Sequence, residues 1–168
     1  MIRKHVQGQA VTLIRAVNLA CAALAVLAPM AHVLELPNKM ALDAELWLAV
    51  QQHLYRGWGP FVGAPTELGA LITTLLLVYV RRRSRAALGA TALAGLGYAG
   101  MLAAFFVLNQ PVNVAVASWA STSIPPDWMA YRVRWEAGHA CAAALAVASL
   151  ALLIWASVRE RRSTFDGC

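Results

Sequence analysis

Residues 81–108 read RRRSRAALGATALAGLGYAGMLAAFFVL. Arginines give way to an uncharged apolar run longer than the roughly 20 residues that take an α-helix across a bilayer at about 1.5 Å per residue. Three further runs of this kind, at 11–34, 59–80 and 137–158, join the one at 86–108, so apolar sequence accounts for most of the 168 residues. At 60% hydrophobic and 13% charged, the chain is too apolar for a soluble domain of its length. The expectation is an all-α polytopic membrane protein: one domain over residues 1–168, a bundle of four transmembrane helices with the lipid bilayer as its first partner. The formal charge of +6 gathers at the ends of the apolar runs, without interleaved polar or aromatic surface, so nucleic acid is not an expected partner. The first run follows Arg3 and Lys4 as a secretory signal would. It is nevertheless interrupted by Arg15 and Asn18, outlasts a signal core and lacks a small-x-small cleavage site near Pro29, so it reads as a retained span. Cys21, Cys141 and Cys168 form no C-x-x-C pair and read as packing residues or a tail thiol.

Orientation follows from the short connections. Arg3, Lys4 and Arg15 open the chain, Arg81, Arg82, Arg83 and Arg85 lie between the second and third runs, and Arg159, Arg161 and Arg162 follow the fourth. The positive-inside rule places all three groups in the cytoplasm, both termini included, as in a bacterial inner-membrane protein. Residues 35–58 and 109–136 then face outward. The segment LDAELWLAVQQHLYRGW, 42–58, reads as a short amphipathic surface helix with Leu42, Leu46, Val50 and Leu54 on its apolar face and Asp43 and Glu45 near its positive dipole end. His53 on that helix reads as solvated. Gly95, Ala99 and Ala103, four apart in the third run, read as a face for close helix approach.

The polar residues converge on one depth. His32 and Glu35 stand three apart at the outer end of the first run, with Lys39 beyond Pro37. Glu67 lies fourteen residues, about 21 Å, from Arg81, which puts it in the outer third of a hydrocarbon core about 30 Å thick. An ionisable side chain at that depth is costly and is a functional candidate by default. Asn109 and Asn113 flank Pro111, which removes a helical N–H and frees carbonyls. Glu136 and His139 open the fourth run, three apart, with Arg132 and Arg134 one turn earlier. Apart from Arg15 and Asn18, each strongly polar group that enters a run lies at this end, and 119–131 between Trp119 and Tyr131 reads as a cap over it.

Three chemistries suit this set. Glu-x-x-His on one helix and His-x-x-Glu on another, with Glu67 on a third, are the donor types of a carboxylate-bundle metal centre holding iron or copper: His32, Glu35, Glu67, Glu136 and His139. Metal-free acid–base work by His139 with Glu67 or Glu136 is the second, on a phenol-like or carbon acid. A polar plug that fixes helix register is the third. Arg132 and Glu136, at i and i+4, also have the spacing of an ion pair. A lack of internal repeat and of midplane polar groups speaks against a transporter.

The runs NQPVNVAVASW and PPDWMAYRVRWEAGH, with AHVLELPNKM and WLAVQQHLYRGWG earlier, resemble the anthrone-oxygenase-like family of small four-helix membrane proteins, a domain of unknown function by designation. The resemblance covers residues 32–139. It implies an oxidoreductase that turns anthrone-type polyketides into quinones with dioxygen, with no established cofactor. Asn109, Asn113, Trp128, Arg132, Trp135 and His139 match the family pattern. The Arg that follows the His in many members is absent, since this chain has Ala140, Cys141 and Ala142. On this reading His139 is base or metal ligand, and Glu67 and Glu136 are its partners. Arg132 and the asparagines orient a small lipophilic substrate, and Trp128 and Trp135 stack on its ring. A non-catalytic module that binds a lipophile or a partner subunit is the rival reading, and oligomerisation is left open.

Overall fold

The computed structural model describes residues 2–81 and 85–165, with side-chain surroundings for 8–81 and 87–160. Among the described residues all regular structure is helical. In chain order these are α1 (Ile2–Leu34), α2 (Leu36–Met40), α3 (Ala44–Ala49), α4 (Ala64–Arg81), α5 (Arg85–Ala104), α6 (Gln110–Ala117) and α7 (Trp128–Phe165). Wide π turns continue α3 over Val50–Leu54, lead into α4 over Gly59–Gly63 and join α5 to α6 over Phe105–Asn109. Four stretches, Gly8–Leu34, Gly59–Arg81, Ala87–Ala117 and Trp128–Glu160, are long and apolar enough to cross a membrane. The fold is an all-α membrane bundle. In it α1 and α5 each pack on both α4 and α7, which closes a ring of four helices.

The packing follows from the solvent. Lipid tails are as apolar as leucine, so large side chains gain nothing by turning inward and small ones let backbones approach. The bundle core accordingly holds Ala22, Ala25, Ala70, Ala94, Ala142 and Ala146 around Tyr98 and Met101, while Leu13, Leu27, Ile72, Leu96 and Ile154 are exposed. The closest approach in α5 is not the predicted face. Ala99 and Ala103 point outward. A Cβ on Gly97 would instead lie 2.1 Å from Ser149 Oγ and one on Gly100 3.2 Å from Leu145, so α5 meets α7 through Gly97 and Gly100. Gly95 does face a helix, but that helix is α4, with Thr74 Cγ2 3.5 Å from its Cβ position.

Two span boundaries move. The third run continues past 108 through Pro111 to Ala117, and the fourth starts at Trp128 instead of 137. The wide turn before Pro111 absorbs the lost donor: proline has no N–H for the carbonyl four residues back, Val107 O, and Arg134 Nη2 donates to that oxygen at 2.6 Å. At the fourth span hydropathy misplaced the start because Arg132 and Glu136, though charged, are buried in internal contacts. The outer connection of 109–136 thus shrinks to 118–127, and the resemblance-bearing residues on either side are helical.

The amphipathic helix exists, with Asp43 as its N-cap accepting from Leu46 N at 2.9 Å. Its buried face differs from the expected stripe. Leu46 and Leu54 are exposed, whereas Trp47 and Leu48 are buried with Val112, Val116 and Trp135, and Leu42, Trp119, Ile124, Trp128 and Tyr131 pack around them. The apolar spacing of four misled because the aromatic Trp47 takes the core position one residue along. Gln52 Nε2 then donates to Val116 O and Trp119 O, both at 2.9 Å, which closes the end of α6. The expected cap over the site is therefore a second, aromatic core. His53 is exposed.

The two ends of the bundle differ in chemistry. At one, Arg15 of α1 and Arg81 of α4 both donate to Glu160 of α7, so this part of α1, the end of α4 and the end part of α7 share this arginine end. Arg82, Arg83 and Cys168 lie outside the described residues, as do the side chains of Arg3, Lys4, Arg85, Arg161 and Arg162. The other end holds His32, Lys39, Glu136 and His139.

Candidate functional site

Register places the histidines. Asn18 Nδ2 on α1 donates to Thr74 Oγ1 at 2.8 Å and Thr73 Oγ1 at 3.0 Å on α4, and a Cβ on Gly69 would sit 3.2 Å from Cys21 Sγ. Carried outward along two antiparallel helices, that register sets His32 opposite the start of the second span. The Trp58 ring lies there, 5.6 Å from the His32 ring. Gly57 makes the entry possible: its φ of 88° is open to glycine and strained for other residues.

His32 and His139 face each other with ring centroids 4.2 Å apart, although they come from opposite ends of the sequence. Trp135 stands edge-on to both, at 4.7 Å from His32 and 4.2 Å from His139. Tyr55 closes the group, 4.6 Å from His32 and stacked at 5.7 Å on Trp135. Over these rings lies Lys39 Nζ, 4.9 Å from the Trp135 centroid and 5.7 Å from that of Tyr55. It donates to Glu136 Oε2 at 2.8 Å, with both side chains buried. Glu136 Oε1 and His32 Nδ1 are buried without hydrogen-bond partners, and His139 has none among the described residues. Tyr55 donates to Glu35. Burial first, then that hydrogen bond and the carboxylate charge, push the Tyr55 phenol well above the usual tyrosine range.

The flanking residues hold this group in place. Arg132, 1% exposed, donates from Nη1 to Lys39 O at 2.9 Å and Leu42 O at 2.8 Å, and from Nη2 to Met40 O at 3.2 Å. Its guanidinium also lies 4.5 Å over the Trp128 ring. The residue expected to orient substrate is thus a cation on the carbonyl end of α2, and it fixes the backbone that delivers Lys39. The expected Arg132–Glu136 pairing gives way to Lys39–Glu136, since Nη1 and Nη2 of Arg132 are turned to the carbonyls of Lys39, Met40 and Leu42. Asn109 Nδ2 donates to Trp135 O at 2.8 Å, and Asn113 Oδ1 accepts from Trp135 Nε1 at 2.9 Å, so both asparagines hold the indole of Trp135. Asn109 reaches its place because residue 138 is glycine: a Cβ there would lie 2.2 Å from Asn109 Oδ1.

The metal set does not assemble. Among the described residues no three His, Cys, Asp or Glu side chains are placed to hold an ion. His32 Nδ1 is 3.7 Å from Glu35 Oε2, but Glu35 is engaged by Tyr55 and Glu136 by Lys39. Glu67 lies one turn past Gly63, its Oε1 3.9 Å from where a Cβ on Gly63 would sit. It has no hydrogen-bond or ion-pair partner among the described residues. These donors do not fit iron or copper. Cys21 is half-buried against α4, while Cys141 is exposed. Sequence reasoning passed over Tyr55, Trp58 and Gly138, since aromatic residues near an interface and glycine before a histidine carry no local signature of a site.

Comparison with family models, with curated proteins and with solved structures finds no match to this chain.

Proposed function

We propose that this protein is an oxidoreductase of the anthrone-oxygenase-like kind. It acts on a small lipophilic, phenol-type substrate in the outer leaflet of a bacterial inner membrane, with both termini in the cytoplasm. The observation that carries the reading is the His32–His139 pair, two imidazoles in ring contact and edged by Trp135 and Tyr55, with the Lys39 ammonium above them. A neutral imidazole with a free lone pair accepts a proton, aromatic walls receive an aromatic substrate, and a fixed ammonium in a low-dielectric setting stabilises an oxyanion.

The chemistry follows from those three parts. His139 takes a proton from the activated methylene, and Lys39 holds the enolate oxygen that the departing proton leaves behind. Dioxygen is the oxidant. The methylene loses both hydrogens and becomes a carbonyl, one oxygen atom enters that carbonyl and the other leaves as water, so the carbon supplies all four electrons. Glu136 sets the position of Lys39 and takes no proton from substrate. Glu67, in the first turn of α4, has no part in this step.

Oxygen uptake by the purified protein with a panel of anthrones and hydroquinones tests the reading. Uptake should fall by about a hundredfold in His139→Ala, the usual scale for loss of a general base, while the helical spectrum is kept. Unchanged uptake in that variant removes the mechanism. Saturable binding of the panel without turnover in the wild type leaves a lipophile-binding module, a reading favoured by the commitment of Asn109 and Asn113 to Trp135.

A further inference from the structure

Glu35 follows the last residue of α1, and its side chain is not spent on the backbone. Its N–H still donates to Ala31 O at 3.0 Å, and its carbonyl accepts from Lys39 N at 2.9 Å. Residue 35 therefore keeps the register of α1 and shares a face with His32, three residues earlier. It is also the residue before α2, where an acidic side chain ordinarily caps the first N–H groups of a helix. Here it makes no capping hydrogen bond. The carboxylate turns to the ring cluster instead: Glu35 accepts from the Tyr55 hydroxyl, and its Oε2 stands 3.7 Å from His32 Nδ1. That nitrogen is buried and has no hydrogen-bond partner. The carboxylate reaches it from the wet side, since the His32 side chain is 4% exposed and that of Glu35 42%. Among the described residues His32 is the only basic side chain in ion-pair reach of Glu35. Lys39 is on Glu136, and Arg132 is on the carbonyls of Lys39, Met40 and Leu42.

We propose that Glu35 is a positioning residue for the histidine pair: its carboxylate keeps the His32 proton on Nδ1, leaves the lone pair on Nε2, and offsets the charge that forms when His32 takes a second proton. The inference rests on the acid–base reading of the His32–His139 site. Aromatic walls do not fix a tautomer, and the tautomer decides which nitrogen can accept a proton. A carboxylate on Nδ1–H supplies both the direction and the counter-charge without itself becoming protonated. Tyr55 completes the arrangement. Its ring lies edge-on to His32 at 4.6 Å, and its hydroxyl uses one of the several lone pairs of the carboxylate, which leaves acceptor capacity for Nδ1–H. In turnover the proton that His139 removes from the methylene passes to His32 Nε2. One N–H bond breaks on His139 and one forms on His32, no electrons change hands, and the proton returns to the reduced oxygen as water leaves. His139 is then free for the second hydrogen. Lys39 above the rings opposes a charge on His32 and is itself answered by Glu136, so the offset comes from Glu35.

The test reads the tautomer directly, by nuclear magnetic resonance of the full chain with isotope-labelled imidazole nitrogens in micelles near neutral pH, His32→Gln assigning the His32 signals. In the wild type His32 should carry its proton on Nδ1. Glu35→Ala should shift the tautomer ratio toward Nε2–H by about tenfold or more, the worth of one hydrogen bond to a charged group. Tyr55→Phe keeps the carboxylate and should keep the tautomer, whereas a general loosening of the cluster would disturb His32 in both variants. Oxygen uptake with the anthrone panel is the second readout: it should fall about tenfold in Glu35→Ala and in Glu35→Gln, which keeps the shape and removes the charge. A tautomer that answers to Glu35 in a chain without turnover removes the oxidoreductase reading and upholds the positioning. Three results overturn the role of Glu35: a wild-type His32 protonated on Nε2, an unchanged tautomer in Glu35→Ala, or wild-type uptake in both Glu35 variants.

Discussion

Gly138→Ala isolates the packing that holds Trp135 in the site. In an exposed helix interior this change stabilises by about 1 kcal/mol, because alanine is the better helix former. At position 138 the new Cβ would lie 2.2 Å from Asn109 Oδ1, 2.7 Å from Cγ and 2.8 Å from Nδ2. The amide must move, and the 2.8 Å bond from Asn109 Nδ2 to Trp135 O goes with it. Losing that bond costs about 1 kcal/mol, at the level measured for polar contacts between membrane helices. Forcing the turn at Asn109 from α7 adds about 1–3 kcal/mol of overpacking. Against the helix-propensity gain of about 1 kcal/mol, the net is a destabilisation of about 1–3 kcal/mol.

The assay is unfolding in mixed micelles titrated with a denaturing detergent, followed by Trp fluorescence and circular dichroism. Gly89→Ala is the control: nothing lies within 4 Å of its Cβ position, so it should stabilise. Asn109→Ala alone should destabilise, but adding Gly138→Ala to it should cost little, since the clashing amide is absent. The two changes should therefore be strongly non-additive. A neutral or stabilising Gly138→Ala, or additive effects in the double variant, refutes the claim that this glycine exists to admit Asn109.

Lys39→Met should destabilise by about 3–5 kcal/mol because it strands a buried Glu136 carboxylate, and Lys39→Met with Glu136→Leu should recover most of that in the same unfolding assay. Arg132→Ala frees the carbonyls of Lys39, Met40 and Leu42; amide hydrogen exchange should rise at residues 39–42, with little change at the arginine end. Tyr55 is protonated more tightly in the folded chain than in the unfolded one. The stability it contributes is therefore whole below about pH 10 and declines as pH rises past that value, and Tyr55→Phe should flatten this alkaline limb. Pro111→Ala restores an N–H for Val107 O, so the cost of Arg134→Gln should shrink in that background, which a double-mutant cycle reads directly.

How much of this was legible depended on which physical signal each residue carries. Span number follows from hydropathy and charge, which act residue by residue; the sequence groups His32, Glu35, Glu67, Asn109, Asn113, Glu136 and His139 by depth, and the structure sets the rings of His32 and His139 4.2 Å apart. Glu67 shows the limit. Depth along a helix can be counted, but its angular and axial register against α1 is set by the Asn18–Thr74 and Cys21–Gly69 contacts, which no local pattern announces. Arg132 was misread for a related reason. A charged residue one turn from a candidate site looks like a ligand-binding group until the carbonyls of α2 are seen to converge on it. The stripe Leu42, Leu46, Val50, Leu54 failed because periodicity identifies an apolar face without saying whether lipid or protein covers it, and a membrane surface offers both.

The same ambiguity explains why the charged residues repay attention more than the apolar ones. In a bundle whose exterior is already apolar, turning leucine inward gains little, so an inward stripe can end in arginine or glutamate if partners meet it. Each stripe on α1, α4 and α7 does so at the arginine end, and α1 and α7 do so again at the histidine end. One end pairs Lys39 with Glu136 one to one and sets two imidazoles and aromatic rings beside that pair. The other joins Arg15 of α1 and Arg81 of α4 to Glu160 of α7. The two ends of a single helical scaffold thus differ in chemistry, with aromatic rings and imidazoles at one and arginines at the other.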